Sequence, residues 1–158
     1  MVSKLVPKPK PTKVKKKKRG KYISPRKLLE IQLDKVFSEY IKLRDNYHCV
    51  ICNTDQSPQC GHLITRSCSR LRWDPRNAAC QCAGHNLQHE YRPEIFTNWF
   101  IQTRGLETYN ELYQLSQLQN FKWEIEELRS MLIDLQSKLD DLKGRTVYAE
   151  KSGRYKSI

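Results

Sequence analysis

The chain has 158 residues, 38% hydrophobic and 29% charged, which suits one compact domain with extensions and excludes two full-sized domains. No apolar run approaches the roughly 18 residues that a bilayer span requires. Lysines from Lys4 onward displace the apolar stretch of a secretory leader, so a cytoplasmic protein without membrane partners is expected.

The formal net charge of +12 is unevenly placed. Residues 1–27 carry twelve Lys or Arg and no acid, and the remaining 17 basic residues balance all 17 acidic ones. A segment this basic, broken by Pro7, Pro9 and Pro11, cannot bury enough apolar surface to fold alone. Residues 1–24 therefore read as a disordered arm, and the run Lys15, Lys16, Lys17, Lys18 as a contact for nucleic acid through counterion release. A solubilising tail or a nuclear address is the plainer alternative.

Ser24-Pro25 is a helix start, with serine as N-cap and proline at the first helical position. Leu29, Leu33, Val36, Phe37, Tyr40 and Leu43 recur at helical spacing and predict a core-covering helix over 25–45. Short strands are predicted around Gln59–Ile64 and Leu71–Cys82, then a helix from Pro93 to about Arg104, a break at Gly105 and a second segment from Glu107 to about Leu118. Phe121, Ile125, Leu128, Leu132, Leu135, Leu139 and Leu142 form a heptad seam that Gly144 is expected to end. That seam can pack on the preceding helices or form a homodimeric coiled coil. The organisation expected is an arm over 1–24, a compact domain over 25–118, a heptad helix over 119–143 and a polar tail over 144–158.

All six cysteines and all four histidines fall between His48 and His89. In a cytoplasmic chain that concentration argues for metal rather than disulfides. Cys49-Val-Ile-Cys52 is a knuckle that presents two thiolates to one ion, and Cys82-Ala-Gly-His85 repeats the two-residue gap about thirty residues on. Zn²⁺ closes its tetrahedron with four such ligands, so Cys49, Cys52, Cys82 and His85 are the candidate site for a structural zinc, with Cys80 as substitute for Cys82. Cys60 and Cys68 lack a partner at ligand spacing, and Trp73 and Trp99 read as core aromatics.

Between the knuckles lie Gly61-His62 on a strand, Arg66, Arg70, Arg72 and Arg76 in the connection, then Asn77, and then Asn86 directly after His85. A histidine on one strand, an asparagine near the next and an asparagine inside the following helix is the order of the HNH motif. Phosphodiester hydrolysis needs a base for water, a cation for the phosphate and a brace for the base.

The run Cys60-Gly-His-Leu-Ile-Thr-Arg-Ser67, followed by Leu71-Arg-Trp-Asp-Pro-Arg-Asn-Ala-Ala-Cys-Gln-Cys-Ala-Gly-His-Asn86, resembles the phage NinG/Rap family of recombination endonucleases over about residues 40–140. Its zinc knuckle is similar to that of junction resolvases of the endonuclease VII type. The resemblance implies an α+β fold, with a small ββα-metal (HNH) core and zinc knuckle between an N-terminal helix and a C-terminal helical region. It implies a metal-dependent DNA endonuclease acting on branched recombination intermediates in the cytoplasm of a bacterial host. His62 would be the general base, Asn77 its brace, and Asn86 a ligand of catalytic Mg²⁺ or Mn²⁺. Arg66, Arg70, Arg72 and Arg76 would contact phosphates.

Two positions depart from the family's pattern: His85 replaces a cysteine, and His89-Glu-Tyr-Arg92 follows the helix start. Gly61, as in the resembled family, stands where many HNH enzymes carry an acidic or imidazole ligand. The further ligand that Gly61 cannot supply is then expected from His89, Glu94 or Asp74. The alternative to an enzyme is a non-catalytic zinc module that binds DNA in phage recombination.

Overall fold

A computed structural model describes residues 22–118 and 121–151, with side chains given as far as residue 145. The arm lysines Lys15, Lys16, Lys17 and Lys18 lie outside the described residues. Among the described residues five α-helices accompany one two-stranded sheet, a mixed α+β arrangement.

Helix α1 spans Pro25–Arg44, and the Ser24 side chain accepts the Lys27 backbone N–H at its start. Leu33, Phe37 and Ile41, spaced one turn apart, are its buried residues. Strand β1 (Pro58–His62) pairs antiparallel with β2 (Ala78–Cys82), with Gly61 opposite Ala79 and His62 opposite Ala78. Helix α2 (Ala83–Gln88) follows β2 without a loop, because Cys82 is both the last strand residue and the N-cap.

Helices α3 (Pro93–Arg104) and α4 (Leu106–Gln117) come next. They are separated by Gly105 at φ +88°, a value that L side chains resist. Helix α5 spans Ile125–Lys151.

The hairpin lies between two apolar clusters. On one side Leu33, Phe37 and Ile41 of α1 meet Trp73, Ala78 and, from α5, Leu128 and Leu135. On the other, Leu63, Leu71 and Ala79 meet Phe96 and Phe100 of α3 and Leu112 of α4. Adjacent residues Ala78 and Ala79 thus point to opposite faces, as the pleat requires.

The heptad seam is used within the chain, with Leu128, Leu135 and Leu139 buried and Ile133, off the seam, 72% exposed. Packing on α1 makes α5 part of the same core as Trp73 and Ala78 rather than a separate unit.

Three boundaries differ from the sequence reading. Residues 71–77 are turns and a short 3-10 helix, Pro75–Asn77, instead of strand. There the Asp74 carboxylate accepts the Arg76 backbone N–H, and Pro75 has no N–H to give a sheet. Phe121 precedes α5, which Glu124 starts by closing a bond between its N–H and the Glu127 carboxylate. And α5 passes through Gly144, so residues 144–151 are helical and the tail proper, 152–158, lies outside the described residues. One glycine costs a helix only about 1 kcal/mol, which the flanking helix formers absorb.

Since a Cβ at Gly144 would meet nothing within 4 Å, Gly144→Ala should raise stability by about 0.5–1 kcal/mol. Urea unfolding checks this. A loss of stability would show that Gly144 ends the helix instead.

Candidate metal cluster and cleft

The Cys49–Cys52 knuckle follows α1 through Asn46 and Tyr47, both at positive φ. Its turn is closed by the Asn53 N–H on the Cys49 carbonyl at 2.7 Å and the Cys49 N–H on the Thr54 carbonyl at 2.8 Å. The Val50 N–H donates to the Cys80 carbonyl at 2.9 Å, which docks the knuckle on β2.

That docking brings four ligand atoms, from Cys49, Cys52, Cys82 and His85, within 4.8 Å of one another. Cys52 Sγ lies 3.9 Å from Cys82 Sγ, and His85 Nδ1 lies 3.6 Å from Cys49 Sγ and 3.2 Å from Cys82 Sγ. Tetrahedral zinc sets such edges at about 3.6–3.8 Å, so the cluster could hold a zinc ion as it stands. Burial opposes ionisation of Cys49, but backbone N–H groups of Cys52, Cys82 and Ile51 outweigh it and lower the thiol to about 7.

Cys80 is not part of the cluster among the described residues. Its thiol is pushed up to about 11, first by burial and then by the Asp45 carboxylate. Burial likewise pushes Cys60 up to about 12.

His62, Asn86 and His89 line a cleft of about 660 Å³ beside the hairpin, together with Asp34, Gln59, Arg66 and Glu90. His62 stacks on Phe37 with ring centroids 5.7 Å apart, and its Nε2 donates to the Arg72 carbonyl at 2.9 Å. Nδ1 is left carrying the lone pair. Burial depresses the His62 pKa below its ordinary value, with the Arg72 carbonyl working in the opposite direction and the nearby Arg66 charge adding to the depression.

Asn77 is wholly buried and holds the connection between the strands. Its Nδ2 donates to the carbonyls of Ile64 at 2.9 Å and Leu71 at 3.1 Å, and its Oδ1 accepts the Ile64 N–H at 2.8 Å. Asn86, next to His85 on α2, donates from Nδ2 to Gln59 Oε1 at 2.7 Å. His89 Nε2 donates to the Leu63 carbonyl at 3.2 Å, while its buried Nδ1 has no hydrogen-bond partner among the described residues.

The fallback ligands Glu94 and Asp74 stand elsewhere. Glu94 pairs with Arg92 and Asp74 with Arg76, and neither lines the cleft.

The four arginines of the connection are placed unequally. Arg72 is engaged by Asp34, Arg76 by Asp74 and Glu111, and Arg70 lies over the Phe121 ring at 4.1 Å. Arg66 lines the cleft.

Sequence reasoning missed Asp34, Gln59, Gln81 and Glu90. Asp34 accepts from both Arg72 Nε and Trp73 Nε1 at 2.9 Å, fixing the residue whose carbonyl orients His62. Its only sequence signal is a carboxylate one turn before Phe37 on the helix's inner side. Gln81 is a long polar residue in an otherwise small and apolar strand, Ala-Ala-Cys-Gln-Cys, which is a signal that could have been read.

The family described as Bacteriophage Lambda NinG protein matches residues 4–145, so the chain belongs to that family. The match takes in most of the basic arm, beyond the 40–140 stretch that the motifs alone define. Neither a curated protein nor a solved structure matches the chain. Among the described residues no helix is long and apolar enough to cross a membrane.

Cys82→Ser should abolish bound zinc and lower the melting temperature, whereas Cys80→Ala should retain one equivalent; atomic absorption on the purified variants decides. Zinc lost from both, or from neither, would remove this cluster as the site.

Proposed function

We propose that the chain is a zinc-stabilised, metal-dependent DNA endonuclease of the HNH type, acting on branched intermediates of phage recombination. The observation that carries this reading is the shared cleft of His62 and Asn86, with the imidazole held so that its unprotonated nitrogen is the one left free. Membership of the NinG family supports it.

In this reading Nδ1 of His62 takes the proton of a water that attacks the scissile phosphorus. The Arg72 carbonyl and the Phe37 face hold the ring in one tautomer and one plane. Asn77 fixes the ends of the intervening connection, so the Arg72 carbonyl stays in place.

The residues at the helix side fit a divalent cation. His89 offers a buried lone pair on Nδ1 while its other nitrogen donates to a carbonyl, the usual arrangement of a ligating histidine. Asn86 keeps Oδ1 available because its amide N–H is spent on Gln59. A bound Mg²⁺ or Mn²⁺ would supply charge for the scissile phosphate and the leaving oxygen. Arg66 is the phosphate contact at the cleft, and the arm supplies affinity along the duplex.

Linear, flap and four-way-junction DNA incubated with Mg²⁺ or Mn²⁺ tests the proposal. His62→Ala should slow cleavage by roughly a hundredfold or more with DNA binding kept. Binding without cleavage of any substrate would instead establish the non-catalytic module.

The pH profile is a second check. His62 must be neutral to act, and its pKa is depressed, so the rate should rise with pH through a midpoint below the ordinary 6.5 and stay level through neutrality. A midpoint above 7 would remove His62 as the base. Deleting residues 1–21 should flatten the salt dependence of DNA binding without loss of zinc, and an unchanged slope would show that the arm makes no phosphate contacts.

A further inference from the structure

Gln81 is the most unusual polar residue in the molecule. It is 0% exposed, and neither its Nε2 nor its Oε1 has a hydrogen-bond partner among the described residues. Leaving both ends of a carboxamide unpaired inside a protein costs about 1–3 kcal/mol per group, so the position is expensive unless something uses it.

Its surroundings say where it points. A Cβ built on Gly61 would lie 2.3 Å from Gln81 Oε1 and 3.1 Å from Asn86 Oδ1. Both carboxamide oxygens therefore converge over the one residue of β1 that has no side chain, between the hairpin and α2. Gln81 and His89 also line one narrow gap, too tight for a water molecule, and His89 Nδ1 is the other buried nitrogen of this region without a partner among the described residues.

The space that a side chain at position 61 would fill is taken by the Gln81 carboxamide oxygen of the neighbouring strand. We propose that Gln81 Oε1 is a ligand of the divalent cation, completing with Asn86 Oδ1 and His89 Nδ1 the set that Gly61 leaves short. This rests on the metal-dependent reading of the cleft.

Two carbonyl oxygens and one imidazole nitrogen suit Mn²⁺ better than Mg²⁺, which binds few ligands other than oxygen. All three donors are neutral, so the free protein should hold the ion loosely, and the anionic phosphate of the substrate would tighten it. A glycine at position 61 then leaves the Gln81 carboxamide where it is, since a Cβ there would force that side chain to move.

The test is Mn²⁺ binding to the zinc-loaded full chain without DNA, followed by electron paramagnetic resonance of free Mn²⁺. Gln81→Met keeps length and burial but removes the oxygen, and should weaken binding by roughly tenfold or more. Gln81→Glu adds a carboxylate at the same point and should tighten it. In the parent chain, substoichiometric Mn²⁺ should broaden the Gln81 side-chain amide signals in an NMR spectrum, a readout that needs no variant to fold.

No Mn²⁺ bound at millimolar metal, equal affinity in all three chains, or an unbroadened Gln81 amide would each overturn the assignment. Because no step uses DNA, a chain that binds Mn²⁺ through Gln81 yet cleaves nothing would retire the nuclease reading and leave this site standing.

Discussion

Three thiols and an imidazole, on Cys49, Cys52, Cys82 and His85, meet where three pieces of chain come together, in a cluster that could hold a zinc ion. The knuckle follows α1, Cys82 ends β2, and His85 sits in the first turn of α2. Helix α2 has six residues, far below the length at which an isolated helix persists in water. Its place is set by Cys82 at the N-cap and by the cluster at His85, and Asn86 and His89 are carried into the cleft by the same turn of helix. The cluster and the cleft thus share one short helix, His85 facing the first and Asn86 and His89 the second.

The opposite wall of the cleft is built by different means. Asp34 of α1 holds Arg72 and Trp73, the Arg72 carbonyl holds His62, and Phe37 backs the imidazole. Helix α1 is itself covered by α5 through Leu128 and Leu135. The helices flanking the hairpin act through packing and hydrogen bonds to orient one ring, while the helix that faces it carries His85 of the cluster on one side and bonds to Gln59 and Leu63 on the other.

Most arginines of this region serve the fold. Arg44 donates to the carbonyls of Pro75 and Ala78, and Arg104 to those of Arg76 and Ala78, so two guanidinium groups satisfy main-chain oxygens where β2 begins. Arg72 and Arg76 neutralise carboxylates. Residues beyond 27 carry equal numbers of basic and acidic groups, and their internal pairing is consistent with that balance. The uncompensated charge belongs to the arm, where long-range attraction to a polyanion needs no fixed geometry.

The sequence by itself determined Cys49, Cys52 and His85 and narrowed the fourth cluster residue to Cys82 or Cys80, because ligand spacing is a local property that two short stretches carry. It also determined α1 and the break at Gly105, which follow from capping chemistry and backbone sterics within a few residues. It placed His62, Asn77 and Asn86 in order along the chain, but order does not say which atoms are free. Only the tertiary structure decided that Cys82 rather than Cys80 joins the cluster, and that Arg72 faces Asp34. It alone placed Gln81 over Gly61. The physical reason is the same in each case: those outcomes depend on residues between about 20 and 38 positions apart meeting across the hairpin or between α1 and the connection, and no local pattern records such a meeting.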